Sequence, residues 1–150
     1  MQLTQKETEL LNDLKSMERL CIDKYKKHAT AACDQQLKNL FNSFADNEQA
    51  HLNVLDQISS GSVPQYAAGG GQMKTFTATY GATNDQCKLN DQYLCSDLLS
   101  SEKHASNLYD TCVFEFKDEN VRKIFNTIQG QEQNHGKMIY DYMATNSMYS

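Results

Sequence analysis

The chain has no tryptophan, a single proline and seven glycines in 150 residues; five of those glycines, together with Pro64, fall between residues 59 and 83. Elsewhere little stands in the way of long helices. The five cysteines (Cys21, Cys33, Cys87, Cys95, Cys112) include no CxxC pair, which removes rubredoxin-like and zinc-ribbon sites, and their odd number reads as reduced intracellular thiols. Lys and Arg form no cluster and the net charge is -5, so neither nucleic acid nor an anionic membrane surface is expected as a partner. No window approaches the roughly 18 apolar residues of a membrane span. The opening "MQLTQKETELL" lacks the apolar segment of a signal peptide, so a cytoplasmic location is expected.

The length fits one domain, 1–150, and residues 59–83 divide it into two halves. In the first half the apolar stripe runs Leu11, Leu14, Glu18, Cys21, Tyr25, His28, and after a break at residues 29–33 it resumes as Leu37, Phe41, Phe44, Glu48, His51, Leu55, Ile58. These steps of three and four are those of helices buried along one face. The second half, capped by Asn84 or Asp85, gives Cys95, Leu98, Glu102, Ala105, Tyr109, Cys112, and from near Asp118 it gives Val121, Phe125, Ile128, Glu132, His135, Ile139, Tyr142. The second pair of stripes is the first displaced by 84 residues, and the same shift matches Asp13 with Asp97, Ser16 with Ser100 and Asn42 with Asn126. A duplicated helical hairpin, about 4–58 and about 84–143, explains this. The crossover at about 59–83 is long enough to run the length of a helix, so the expected fold is all-α: an antiparallel four-helix bundle with one long crossover.

Acids do not belong in an apolar stripe. Four carboxylates converging in a dry core repel one another and lose their hydration. Glu48 with His51, and Glu132 with His135, are i, i+3 pairs that reach one small volume, while Glu18 and Glu102 stand singly on the facing helices. Four carboxylates balance two divalent cations, and two neutral imidazoles complete their shells. Both histidines carry a glutamate three residues before and another 33 before, in a chain with eight glutamates, so the pattern is compound rather than a lone Glu-x-x-His.

With these six positions the chain resembles the ferritin-like superfamily, and its ligand order is closest to bacterioferritin and rubrerythrin. Tyr25, two turns after Glu18, adds to the likeness. Within the second half, "LCSDLLSSEKHASNLYDTCVFEF" and "VRKIFNTIQGQEQNHGKMIYDYM" resemble the coat F family of bacterial spore coat proteins. The resemblance implies a ferritin-like bundle with two iron (or manganese) ions, Glu48 and Glu132 bridging them, Glu18 and Glu102 as terminal ligands, and His51 and His135 on one ion each. It also implies association with the spore coat and other coat proteins.

Departures from those families carry expectations too. Gln49 replaces the haem-ligating methionine of bacterioferritins, so no haem is expected. Ala105 replaces rubrerythrin's additional glutamate, and its paired-cysteine electron-transfer domain has no counterpart. Asn47 and Gln131 replace the aspartates that orient histidine ligands in bacterioferritins; an amide carbonyl accepts an imidazole N–H without adding charge. Only 15 residues follow His135, so a fifth helix for closing a cage is not expected.

The leading expectation is a di-iron oxidase or peroxidase acting on dioxygen or peroxide in defence against oxidative stress. The alternative is a structural spore coat protein with a vestigial or merely stabilising metal site, its tyrosines, including Tyr140, Tyr142 and Tyr149, serving cross-links or interfaces. A third reading takes Tyr66, Phe76 and Tyr80 in the crossover as an interaction surface; a homodimer is compatible with each. Tyr25 and Tyr109 are either donors to the carboxylate of the opposite helix or core filler. Cys21 is either a thiol near the metals or a small buried residue. His28 falls at the end of its stripe and His104 at the edge of the core face, neither with a partner at ligand spacing.

Overall fold

The computed structural model describes residues 1–66 and 73–149; the glycine run of the crossover lies outside the described residues. Four helices account for its regular structure: α1 (Gln5–Ala31), α2 (Gln35–Ser59), α3 (Asp85–Glu115) and α4 (Glu119–Thr145), with no strand among the described residues. Each begins at a side-chain cap. Thr4 and Glu7 form a reciprocal capping box on α1, while Asp34, Asn84 and Asp118 accept first-turn N–H groups of α2, α3 and α4.

Helix α1 packs on α2 and α3 on α4, and the two hairpins meet along α1–α3 and α2–α4. Tyr25 faces Glu102 where Tyr109 faces Glu18, so α1 and α3 run antiparallel; Asn47 opposite His135 and His51 opposite Gln131 show the same for α2 and α4. The all-helical four-helix bundle expected from the stripes is therefore present.

The core divides in two. One apolar cluster joins residues such as Phe41, Phe44, Leu98, Ile139 and Tyr142, and the other joins Leu14, Leu55, Tyr109, Phe116 and Phe125. In α2, α3 and α4 the acids of the stripes fall in the gap between these clusters, and in α1 Glu18 lies between Met17 and Cys21 of the second. Burial of such side chains contributes about 1.5–3 kcal/mol each, which is what allows a polar layer between them.

The hairpins also complete one another's turns. Asp91 on α3 accepts from the backbone N–H groups of Cys33 and Asp34 at 2.9 and 3.0 Å, and Glu7 on α1 accepts from that of Lys117 at 2.8 Å. Glu7 and Asp91 are themselves related by the 84-residue displacement, as are Cys33 and Lys117.

Between α2 and α3 the described part of the connection lies along α4. Lys74 N–H donates to Asn134 at 2.8 Å, Tyr80 N–H to Asn146 at 2.7 Å, and the Asn146 amide donates back to the Ala78 carbonyl. Phe76 stacks on Tyr142 with ring centroids 5.6 Å apart, the Tyr80 hydroxyl donates to Asp91, and Tyr66 packs against the second cluster. These three aromatics cover the bundle, which favours a packing role over an interaction surface.

One expectation is corrected. Cys33, in the α1–α2 turn, and Cys87, in the first turn of α3, form a disulfide with Cα atoms 5.7 Å apart, so the thiols are not all reduced. Partners 54 residues apart carry no local signature; the fold brings them together because Asp91, one turn along α3, caps that same turn. Cys21, Cys95 and Cys112 are free and buried. Closing a loop of this length restricts the unfolded chain by about 4 kcal/mol. Replacing Cys33 with Ser should lower the unfolding free energy by an amount of that order, measured by urea denaturation under non-reducing conditions.

Candidate metal centre

Glu18, Glu48, His51, Glu102, Glu132 and His135 meet in the gap between the apolar clusters, and none is more than 3 % exposed. Their ligand atoms form two overlapping quartets, each with all atoms within 4.8 Å of one another: Glu18, Glu48, His51 and Glu132 in one, and Glu48, Glu102, Glu132 and His135 in the other. Glu48 and Glu132 belong to both. Each quartet draws on three helices.

Both imidazoles present Nδ1 to the acids. His51 Nδ1 is 3.3 Å from Glu48, and 2.8 Å from Glu132 without hydrogen-bond geometry; His135 Nδ1 is 3.0 Å from Glu48 and 3.3 Å from Glu102. Among the described residues, Glu18 Oε2, Glu102 Oε2 and both oxygens of Glu132 have no hydrogen-bond partner. Leaving a buried acceptor unpaired costs about 1–3 kcal/mol, and more if it is charged. Four such atoms converging with two imidazole nitrogens are the donor set of two hard or borderline divalent ions, so the residues fit the group.

Without cations the cluster is neutralised by protons. Burial, then the charge of Glu48, pushes Glu18 up to about 8, and burial with the charges of Glu102 and Glu48 raises Glu132 well above the carboxylate range. Burial also works on Glu48, yet the neighbouring Glu18 carboxyl and hydrogen bonds from His135 and His51 hold it well below that range. Desolvation opposes a charge on His51 and His135, but their carboxylate partners prevail: His51 lies well above its ordinary value and His135 at about 9. Two protonated acids and two imidazolium ions take the place of four positive charges.

A second ring of residues fixes the first. The Tyr109 hydroxyl donates to Glu18 at 2.5 Å and that of Tyr25 donates to Glu102, each across to the opposite helix. Burial and the nearby glutamates hold both phenols far above their ordinary value, so they stay protonated donors. Both hydroxyls thus reach the carboxylate of the opposite helix while both rings fill space in the apolar clusters. Behind the imidazoles, His51 Nε2 lies 2.5 Å from Gln131 Oε1 and His135 Nε2 lies 3.3 Å from the Asn47 amide. An Nε2–H donated to an amide carbonyl leaves Nδ1 free to bind a cation; for Asn47 this takes a half-turn of the amide.

Tyr66, from the connection, donates to the same Gln131 oxygen at 2.8 Å. Tyr66, expected with Phe76 and Tyr80 as an interaction surface, lies on no helical stripe, and only the course of the connection brings it to the site.

Two histidines stand apart. His28 pairs with Asp97 at 2.7 Å and His104 is exposed. Burial and the surrounding acids push the Cys21 thiol above its ordinary value, which suits a buried neutral residue rather than a reactive thiolate. Tyr142 is fully buried and donates to Asp34, so of the three tyrosines near the end of α4 only Tyr140 and Tyr149 are open to partners.

Residues 90–150 match the Coat F domain. The matched stretch spans most of α3 and all of α4, and so carries Glu102, Glu132 and His135 with Tyr109 and Gln131, but not Glu18, Glu48 or His51. No curated protein and no solved structure matches the chain. The Coat F stretch therefore holds half of the six cluster residues, and the hairpin before it supplies the other half.

Glu18 (folded value about 8 against an ordinary 4.5) and His135 (about 9 against 6.5) bind more protons folded than unfolded between those values. Their stabilisation is complete below the ordinary value and is lost as pH rises through the folded one. Glu48, shifted the other way, contributes above its ordinary value and loses that contribution in acid. Metal-free protein should be most stable near roughly pH 5 and weaken steadily toward about pH 9, as urea midpoints across that range would show. Tyr66→Phe should weaken Mn²⁺ binding about tenfold through the Gln131 and His51 contacts, read by calorimetric titration.

Proposed function

We propose that this chain is a ferritin-like protein of the coat F type whose core holds two iron or manganese ions and turns over dioxygen or peroxide. The observation that supports this is the pair of overlapping ligand quartets with four unpartnered carboxylate oxygens, buried between two apolar clusters. Glu48 and Glu132 would be shared by both ions, Glu18 and His51 would complete one shell, and Glu102 and His135 the other. Bound there as a pair, such ions supply the two electrons that reduction of an O–O bond consumes.

The protein's own residues do the rest. Tyr25 and Tyr109 orient the two unshared carboxylates, Gln131 and Asn47 set the imidazole tautomers, and the apolar clusters close the polar layer on both sides along the helices.

The Coat F match supports a place in or near the spore coat, among other coat proteins. No helix among the described residues is long and apolar enough to cross a membrane. A second reading, a structural coat protein whose metals only stabilise the bundle, draws support from exposed apolar side chains such as Phe114 and Tyr93, which are 76 % and 69 % exposed.

Anaerobic reconstitution with ferrous iron followed by metal analysis should give two ions per chain, and Glu48→Ala and His135→Ala should each lose at least one. Fewer than about one ion per wild-type chain would defeat the proposal. Loaded protein that binds two ions yet consumes neither dioxygen nor peroxide would favour the structural reading.

A further inference from the structure

The duplicated hairpins differ where the cluster approaches the surface. On the α3–α4 side a cavity of about 340 Å³ has Glu102 and Glu132 in its wall, with Lys103, Ser106, Asn107 and Gly136 among the residues around it. The 84-residue displacement maps Ser106 onto Ile22 and Gly136 onto Leu52, which are only 5 % and 8 % exposed. Branched apolar side chains therefore fill positions next to Glu18 and Glu48 whose counterparts next to Glu102 and Glu132 are left nearly empty.

Nothing in the backbone demands a glycine at 136. A Cβ there would meet Leu99 Cδ1 at 3.5 Å and the Glu102 Cβ at 3.9 Å, both ordinary contacts, and a glycine inside a helix weakens it. What the glycine leaves is volume. Glu102 Oε2 and both Glu132 oxygens, on residues of this wall, have no hydrogen-bond partner among the described residues.

We propose that this cavity is the binding pocket and access route through which a small reactant reaches the centre, from the α3–α4 side. The route rests on the di-metal reading; the pocket itself does not. Lys103, Ser106 and Asn107 offer a cation and hydrogen-bond donors while Glu102 and Glu132 offer unpartnered acceptor oxygens, so the molecule it takes is small and carries both an acceptor and an O–H, as a carboxylic acid or a hydroperoxide does. At about 30 Å³ per water the space holds roughly ten, more than a peroxide fills and near the lower limit of small-ligand sites, so a small organic acid or organic peroxide fits.

The first hairpin supplies the side chains for the test. The double variant Ser106→Ile with Gly136→Leu carries residues the fold already accommodates at the equivalent positions, and its Tm should be no lower than that of the wild type. In metal-free protein, acetate should shift the Leu99 methyl resonances saturably in the wild type and not in the variant; no saturable shift in the wild type overturns the pocket. With Co²⁺, both proteins should take up two ions per chain, and azide should bind the loaded variant at least tenfold more weakly or slowly. Equal azide binding overturns the route. Failure of the wild type to take up Co²⁺ would instead defeat the di-metal reading, while the acetate measurement would still decide the pocket.

Discussion

Four carboxylates buried between two apolar clusters must be balanced, and the rest of this molecule is arranged around that requirement. In a low-dielectric layer an unbalanced charge costs several kcal/mol, comparable to the net stability of a domain this size. Protons on two acids and two imidazoles meet the requirement without metal, and two divalent ions bound in their place would meet it with the same total charge. The tyrosines and amides would serve either state, since each holds its carboxylate or imidazole in place from the side away from the cluster.

Duplication explains why the requirement is met so symmetrically. Neither hairpin contains a complete ligand quartet: the first quartet takes Glu132 from the second hairpin, and the second takes Glu48 from the first. The turns follow the same rule, with Glu7 and Asp91 each satisfying backbone N–H groups of the opposite hairpin. Docking the hairpins and assembling the cluster are thus one event, and a change at Glu48 or Glu132 is felt by both halves.

Much of this was legible in the sequence because helices report themselves through spacing. Stripes of three and four steps, interrupted by acids at positions related by 84, identify four helices, the six cluster residues and the two tyrosines before any coordinates are known. What spacing misses are contacts whose partners have no side-chain identity or no period. Glu7 and Asp91 bind backbone groups, Tyr66 arrives on a segment without regular structure, and the Cys33–Cys87 bridge joins residues far apart in the chain. The cavity beside Glu102 depends on what Ser106 and Gly136 lack, which shows only when the two hairpins are compared position by position.

The bridge from Cys33 to Cys87 encloses all of α2 and the whole connection to α3 in one covalent ring. A protease that cuts at Ser62, exposed beside Gly61, would open that ring without separating the molecule, since both fragments stay joined at the opposite end of α2. A nicked chain would keep its two halves in equal number and in register, able to close again over the same cluster.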